Sequence, residues 1–113
     1  MAGKFELKKS KNEQFFFNLL ASNGQVLLSS EMYTAKASAS NGIESVKKNG
    51  SDAARYDKLV AKNGSFYFNL KASNGQVIGV SEMYTTEAAR DAGIQACISG
   101  APEAAVTDRT TPA

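Results

Sequence analysis

The sequence contains no histidine and only one cysteine, and each shortage excludes a class of chemistry. Without histidine, the chain lacks the commonest general base, the commonest metal ligand and the base of every Ser-His or Cys-His pair. Because Cys97 is alone, neither an internal disulfide nor a thiolate cluster for zinc can form. The acidic residues show no metal-ligand spacing, and no glycine-rich phosphate loop is present. We therefore expect no cofactor, and we predict that the protein is not an enzyme.

A strong charge and long apolar runs are missing as well. Thirteen basic and 11 acidic residues give a net charge of +2, too small to indicate a nucleic-acid partner by itself. No apolar run approaches the length of a membrane-spanning helix, and the amino terminus lacks the apolar core of a signal peptide. We expect a cytoplasmic protein that does not bind a membrane.

What the sequence does contain is an internal repeat. The segments Ala21–Val26 and Ser30–Thr34 recur, residue for residue, as Ala72–Val77 and Ser81–Thr85. The offset is 51 residues (72 minus 21) in both cases. A repeat at fixed spacing indicates one supersecondary unit used twice.

Each repeat is predicted to hold three strands and a helix, because alternating apolar and polar residues indicate strands and a wider apolar spacing indicates a helix. The predicted strands include Lys4–Lys9, Phe15–Ala21, Val26–Ser30, Arg55–Lys62 and Val77–Ser81. The predicted helices run from Ala35 to Lys48 and from Thr86 to Ser99, with Thr34 and Thr85 as N-caps.

The second strand of each repeat indicates which side chains face the core. Phe15, Phe17 and Leu19 have apolar counterparts 51 residues later, whereas Phe16 has the more polar counterpart Tyr67. Because strand side chains alternate between the two faces of a sheet, we predict that the first three face the core. Phe16 and Tyr67 should lean towards solvent.

Glycines carry two local predictions. The pair Asn23-Gly24 and its repeat indicate two-residue type I′ turns, which need positive φ at both positions. Gly42 and Gly93 lie in the middle of the predicted helices, where each costs about 1 kcal/mol relative to alanine. A glycine repeated at such a position predicts a close approach of helix to sheet. Cys97 falls on the core face of the second helix and is predicted to be a buried thiol.

The link between the repeats predicts how each is closed. Ala53 and Asp57 recur 51 residues later as Ala104 and Asp108, so a third copy begins after the second helix and then stops. By this reasoning the first strand of the second repeat also closes the first repeat. The strands predicted to close the first and second repeats are 55–62 and 104–109, respectively.

These elements predict an α+β fold built from two β(3)-α-β units related by pseudo-two-fold symmetry. Each unit is an antiparallel sheet packed on one helix. We place the first unit at residues 1–54 and the second at 55–113, together forming one compact domain. Residues 110–113 are predicted to be a loose tail.

The sequence resembles the YegP-like family of uncharacterised bacterial proteins. The resemblance lies in the paired Ala-Ser-Asn-Gly-Gln-Val and Ser-Glu-Met-Tyr-Thr segments, each leading to an Ala-rich helix with a central Gly-Ile, and it covers about residues 4–99. It implies tandem β(3)-α-β units. Members with one copy dimerise, so the resemblance implies a monomer that is a covalent pseudo-dimer. It implies no activity. The second copy departs from the pattern at Lys58, where the first has Leu7.

One candidate site is the pair Glu31 and Tyr33 with its repeat, Glu82 and Tyr84. A carboxylate and a phenol beside a helix start could frame a recognition site. The alternative is structural, with the tyrosine packing on the sheet and the glutamate pairing locally. Each copy needs such a motif in order to fold, so duplication alone does not identify a site.

A second candidate is a basic, aromatic sheet face that binds nucleic acid, because exposed rings can stack on bases and lysines can contact phosphates. The residues in question are Phe16, Tyr67, Lys4, Lys8, Lys9 and Lys11. The alternative is a solvated basic strand, which the low net charge favours.

Three functions are therefore compared. The leading hypothesis is a non-enzymatic module that binds a protein partner through exposed sheet surfaces or edges. Weak nucleic-acid binding comes second, and an enzyme without histidine chemistry comes third. The sequence does not identify the partner.

Overall fold

The computed structural model describes residues 3–110. Its strands are β1 Lys4–Lys9, β2 Phe15–Leu20, β3 Val26–Ser29, β4 Tyr56–Val60, β5 Phe66–Lys71, β6 Val77–Val80 and β7 Ala105–Asp108. The helices are α1 Lys36–Asn49 and α2 Glu87–Gly100, and short 3-10 turns at Ala53–Arg55 and Ala101–Glu103 precede β4 and β7. Apart from Thr110, the predicted loose tail lies outside the described residues.

All seven strands belong to one sheet, in the order β4-β5-β6-β3-β2-β1-β7. The three strands of each repeat are antiparallel, and the repeats meet where β3 pairs with β6 at Ser29 and Val80. These two positions are equivalent at the offset of 51, so a pseudo-two-fold axis passes between them, perpendicular to the sheet. The predicted α+β tandem repeat is confirmed, with the two antiparallel sheets merged into one.

Both helices lie on the same face of the sheet, because an axis perpendicular to the sheet keeps them on one side. α1 contacts β1 and β2 of its own repeat and β5 and β6 of the other, while α2 contacts β5 and β3. One hydrophobic core therefore spans both repeats. Its fully buried side chains include Phe5, Phe17, Leu19, Leu28, Ile43, Val46, Phe68, Leu70 and Cys97.

The glycines in the middle of the helices allow the predicted close approach. A Cβ added at Gly42 would lie 2.7 Å from the Tyr33 hydroxyl and 2.9 Å from a Phe17 ring carbon. At Gly93 it would lie 2.6 Å from the hydroxyl of Tyr84. Each helix therefore rests directly on the tyrosine that ends the repeated Ser-Glu-Met-Tyr segment.

The predicted N-caps are wrong by one residue, since both helices begin one residue later than expected. Thr86 caps α2 by accepting a hydrogen bond from the Ala89 N–H at 3.1 Å. The equivalent position before α1 is Ala35, whose side chain has no acceptor. Threonine therefore caps only the second helix.

The predicted two-residue type I′ turns are also wrong. Ser22 to Gly24 form a three-residue loop, in which Ala21 N–H donates to the Gln25 carbonyl at 2.8 Å. Only the glycine has positive φ, at 86°. The asparagine needs no such conformation, because its side chain accepts from the Gln25 N–H at 3.0 Å. A type I turn followed by a glycine in the left-handed region is a common hairpin connection.

The predicted closing strands pair differently from our expectation. β7 does not close the second repeat but lies parallel to β1 of the first. Within residues 3–110, β4 pairs only with β5 and does not close the first repeat. The reason is covalent. The segment of the first repeat that is equivalent to β7 is 54–57, and this segment overlaps the start of β4. Because it already forms part of β4, it cannot also lie beside β4 as the closing strand. The sheet therefore lacks one strand beside β4.

Candidate functional site

The face of the sheet opposite the helices is the candidate binding surface. Residues in register on neighbouring strands share a face. One row therefore crosses the whole sheet, through Thr107, Glu6, Asn18, Ser29, Val80, Asn69 and Asp57. The helices cover the alternate positions, such as Phe5 and Phe17. We call the row and its same-face neighbours Lys4, Lys8, Phe16, Leu20, Leu59, Tyr67 and Lys71 the uncovered face.

The uncovered face carries apolar or aromatic side chains beside its centre, at Val80, and at several points further out. Val80, beside the pseudo-two-fold axis, is 38% exposed. Phe16 and Tyr67 are half-buried, and Leu20 is buried among its neighbours. Both described helices pack on the opposite face of the sheet. The face thus combines apolar contact area with polar groups at fixed positions.

The two repeats differ in the polar row. In the first repeat the Asn18 amide nitrogen donates to the Ser29 hydroxyl at 2.9 Å. In the second repeat Val80 stands where the first has Ser29. The Asn69 amide nitrogen therefore lacks the hydroxyl that its counterpart has, and the buried Asn69 amide oxygen has no hydrogen-bond partner in the part of the chain that the structure describes. The hydrogen bond from the asparagine nitrogen to a hydroxyl of the next strand is therefore present on one side of the axis only.

Charge is concentrated at the β1 end of the face. Glu6 lies 3.1 Å from the Arg109 guanidinium, 3.4 Å from the Lys8 ammonium and 3.6 Å from that of Lys4. Burial raises the pKa of Glu6, but the hydrogen bonds and positive charges of Lys8 and Arg109 outweigh it, so the pKa is lowered. Three cations around one carboxylate leave this end of the face positive.

The structure gathers only some of the predicted nucleic-acid residues. Lys4, Lys8 and Phe16 share the uncovered face, with the Lys8 ammonium 6.0 Å from the centre of the Phe16 ring. Tyr67 is on the same face of the sheet, but on the other side of the axis. Three strand spacings and four residues along the strands separate the two rings by about 20 Å.

Two predicted lysines lie elsewhere. Lys9 is at the end of β1, with its ammonium 3.7 Å from the Glu13 carboxylate and 5.9 Å from the centre of the Phe15 ring. That ring belongs to the helix side of the sheet. Lys11 lies in the exposed turn between β1 and β2. Neither side chain joins the uncovered face.

The tyrosines of the repeated motif pack inside the fold. The Tyr33 ring stacks on Phe17, with centroids 6.4 Å apart and planes 10° apart, and Tyr84 stacks on Phe68 in the same way. Burial, and then the nearby Glu31 charge, raises the pKa of Tyr33. Glu31 and Glu82 are exposed in the loops before them. The geometry favours the structural interpretation of the tyrosines, and a binding role for the four residues stays a prediction.

Sequence reasoning missed most of the face, including Glu6, Asn18, Asp57 and Asn69, and it missed Arg109 beside Glu6. Asparagine is uncommon in strands, so its recurrence at equivalent strand positions was a usable signal. Glu6 and Asp57 also recur at the repeat offset. Arg109 gave no signal, because it reaches Glu6 only through the parallel pairing of β7 with β1.

Metal and membrane sites are the remaining possibilities. Between residues 3 and 110, no three His, Cys, Asp or Glu side chains lie close enough together to hold a metal ion. Neither helix in that range has the length and hydropathy required to cross a membrane. Cys97 is fully buried, as predicted, and burial raises the pKa of its thiol to about 12.

The fold is that of a tandem α+β repeat protein with one helix-covered and one uncovered sheet face. The profile of a family described as "Domain of unknown function (DUF1508)" matches the chain twice, at residues 10–57 and 61–108. The chain belongs to this family.

Relatives and solved structures agree with that assignment. UPF0339 proteins of Acinetobacter baylyi and Bordetella pertussis are 53% and 56% identical to the chain over 110 residues. Both alignments cover 97% of this chain, and they cover 99% of the Acinetobacter protein and 98% of the Bordetella protein. The solution structure of yegP from E. coli, a protein of unknown function, matches with a TM-score of 0.92 and 49% identity. It covers 100% of this chain and 97% of that one. Uncharacterised relatives of this kind assign the family but no activity.

Proposed function

We propose that the protein is a non-enzymatic, cytoplasmic binding module whose uncovered face receives a partner protein. The observation that supports this most is the position of Val80 and Phe16, which lie on the uncovered face and are partly exposed. An antiparallel sheet with one solvated face normally places polar side chains there. Apolar side chains that stay partly exposed on a free sheet face, with polar groups between them, supply contact area for an interaction surface.

The polar row supplies the specificity that such a surface needs. Asn18 and Ser29 hold each other in place near the centre, and Glu6 is fixed by three cations at one end. Preordered donors and acceptors set the orientation of a partner without losing side-chain freedom on binding.

The test is capture of partners from an extract of the native cells, with and without nuclease. The chain is used in three forms: the natural sequence, Val80→Lys on the uncovered face, and Ala37→Lys on the exposed side of α1. We expect a protein that the natural chain and Ala37→Lys retain and that Val80→Lys loses, irrespective of nuclease. Equal retention by all three chains would contradict the proposal.

Nucleic-acid binding is the second candidate, favoured by the placement of Lys4, Lys8 and Phe16 on one face. Two observations weaken it. The two lysines already pair with Glu6, and Phe16 lies too far from Tyr67 for the rings to stack on neighbouring bases. If it is correct, affinity for single-stranded RNA or duplex DNA falls steeply as salt rises. The absence of binding at low salt and high protein concentration would exclude it.

We also propose that the chain is a monomer, a covalent pseudo-dimer. The two repeats already bury the β3 and β6 edges against each other. Light scattering coupled to size-exclusion chromatography measures this directly. A mass that stays near 12.0 kDa over a wide range of concentrations supports the proposal.

A further inference from the structure

β1 and β4 are equivalent strands with different outer neighbours. β1 is flanked by β2 on one side and by β7, in parallel, on the other. β4 is flanked by β5 on one side, and no strand within residues 3–110 lies on its other side. The intramolecular pairing of β7 with β1 therefore serves as a template for a strand added at the vacant edge of β4.

The backbone of β4 presents free hydrogen-bonding groups at this edge. The Arg109 N–H of the β7 end donates to the Leu7 carbonyl at 2.8 Å, so Leu7 points its backbone groups outward, towards β7. Its equivalent, Lys58, must do the same, and so must Val60 two residues later. β4 has no proline and no bulge to block pairing. The Lys58 ammonium forms an ion pair with the Asp91 carboxylate of α2, at 3.4 Å.

The charges beside the vacant edge differ from those beside β1. At β1, Arg109 pairs with Glu6, and Asp108 pairs with Lys36 at the start of α1. In the second repeat, Asp57 is equivalent to Glu6, so the charge at this position stays negative. Glu87 is equivalent to Lys36, so the charge at the start of the helix changes from positive to negative. A strand beside β4 thus meets two carboxylates, Asp57 paired with Lys71 and Glu87 at 3.7 Å from Arg90. Such pairing does not prevent a further cation from binding, because Glu6 binds Arg109 while it also pairs with Lys4 and Lys8.

We infer that the β4 edge binds an extended, basic segment of a partner protein as an added parallel strand. Main-chain hydrogen bonds to Lys58 and Val60 supply the pairing, as in other cases of strand addition. Side chains of Lys or Arg at the positions of Asp108 and Arg109 face Glu87 and Asp57. This edge shares Asp57 with the uncovered face but uses the outward backbone of β4 in place of the side chains of that face, so the inference goes beyond the proposed function.

A second copy of the chain fits the edge less well. Its β7 is already bound to its own β1, and its Asp108 would face Glu87. Two β4 strands pairing antiparallel about their centres would place Asp57 opposite Asp57 or Lys58 opposite Lys58. Like charges directly opposite each other destabilise a pair of strands.

The experiment titrates the isotope-labelled full chain with three synthetic peptides while backbone amide shifts are recorded. The first has the sequence of residues 103–110 with Asp108 replaced by Lys, the second has the natural sequence, and the third has Glu at both positions 108 and 109. We expect saturable shifts at Lys58 and Val60 with the basic peptide, and at least about tenfold weaker binding of the acidic one.

Two variants of Lys58 separate edge pairing from side-chain effects. Lys58→Pro removes an outward N–H and leaves the inward ladder to β5 intact, so peptide binding is lost. Lys58→Ala removes only the ion pair with Asp91, so binding is kept. Should Lys58→Pro fail to fold, Asp57→Lys serves instead, and it should shift the preference towards the acidic peptide.

Three results overturn the inference. One is the absence of shifts in β4 at millimolar peptide, and another is equal binding of all three peptides. The third is concentration-dependent shifts of β4 without any peptide, which show pairing of two copies. The variant Val80→Lys should bind the basic peptide normally, so failure of the uncovered face as a binding site is detected separately.

Discussion

At the residue scale, the most informative difference between the repeats is the exchange of Ser29 for Val80. Asn18 and Asn69 occupy equivalent places, yet only Asn18 has a hydroxyl beside it. A buried amide without a partner costs stability, whereas a formed hydrogen bond contributes about 1 kcal/mol. We therefore expect the two copies of this motif to differ in stability because of a single side chain.

Val80→Thr should therefore stabilise the protein. Threonine keeps the branched shape of valine and places a hydroxyl beside the Asn69 amide, so we expect a gain of about 0.5 to 1 kcal/mol. The reciprocal change, Ser29→Val, should cost about 1 to 3 kcal/mol because it leaves Asn18 unpaired. Urea unfolding measures both. A loss of stability in Val80→Thr would contradict this view of the row.

Gly42→Ala tests the contact between helix and sheet. Alanine favours the helix by about 1 kcal/mol. Its methyl group, however, would lie 2.9 Å from the fully buried Phe17 ring, and overpacking of a core costs about 1 to 3 kcal/mol. We expect a net loss of stability by thermal unfolding. Ser40→Ala, at an exposed position of α1, is the control and should be neutral or slightly stabilising.

The Glu6 cluster predicts a pH dependence. The folded pKa of Glu6 lies below its unfolded value of about 4.3, so the cluster stabilises the protein above that pH and stops doing so as pH falls through the folded pKa. Glu6→Gln should therefore lower the free energy of unfolding at about pH 7 but not at about pH 2. Arg109→Ala, made both in the natural chain and in Glu6→Gln, completes a double-mutant cycle that gives the coupling energy between Glu6 and Arg109. A coupling energy that does not change with pH would contradict the assignment.

At the element scale, strands and helices followed from the sequence because their pattern is local. The alternation in β2, the glycine in each helix and the apolar face around Cys97 all predicted the observed element. The helix caps and the turn type depend on single side-chain hydrogen bonds, and these were misplaced. The pairing of β7 was missed because two strands separated by nearly the whole chain leave no local pattern.

Proline substitutions in β7 test that pairing. Since the Arg109 N–H points to β1, the N–H of Thr107 does too, whereas that of Val106 points to solvent. Thr107→Pro should detach β7 and cost about 2 to 4 kcal/mol in lost hydrogen bonds and packing. Val106→Pro keeps the pairing and should cost much less. Equal losses in chemical unfolding would show that β7 does not pair as described.

At the scale of the whole molecule, the repeat in the sequence predicted the pseudo-two-fold sheet, but not its unequal edges. Linking the copies forces one segment to serve as the end of the first repeat and the start of the second. Within residues 3–110 one strand fewer is therefore present than two complete units would have, and β4 lies at an open edge of the sheet. The uncovered face follows from the same symmetry, because the axis sends both helices to one side. Its polar row depends on register across seven strands, which no local pattern specifies.

The central claim is that β1 has a strand on both sides whereas its equivalent β4 has a strand on one side only. Amide hydrogen exchange at Leu7 and Lys58 tests this difference directly. The backbone N–H groups of both residues point out of the edge of their strand in the plane of the sheet, that of Leu7 towards β7 and that of Lys58 towards solvent. The amides of Glu6 and Asp57 point into the sheet and serve as internal controls. We predict slow exchange at Leu7, Glu6 and Asp57 and fast exchange at Lys58. Equal protection of Leu7 and Lys58 would contradict the account.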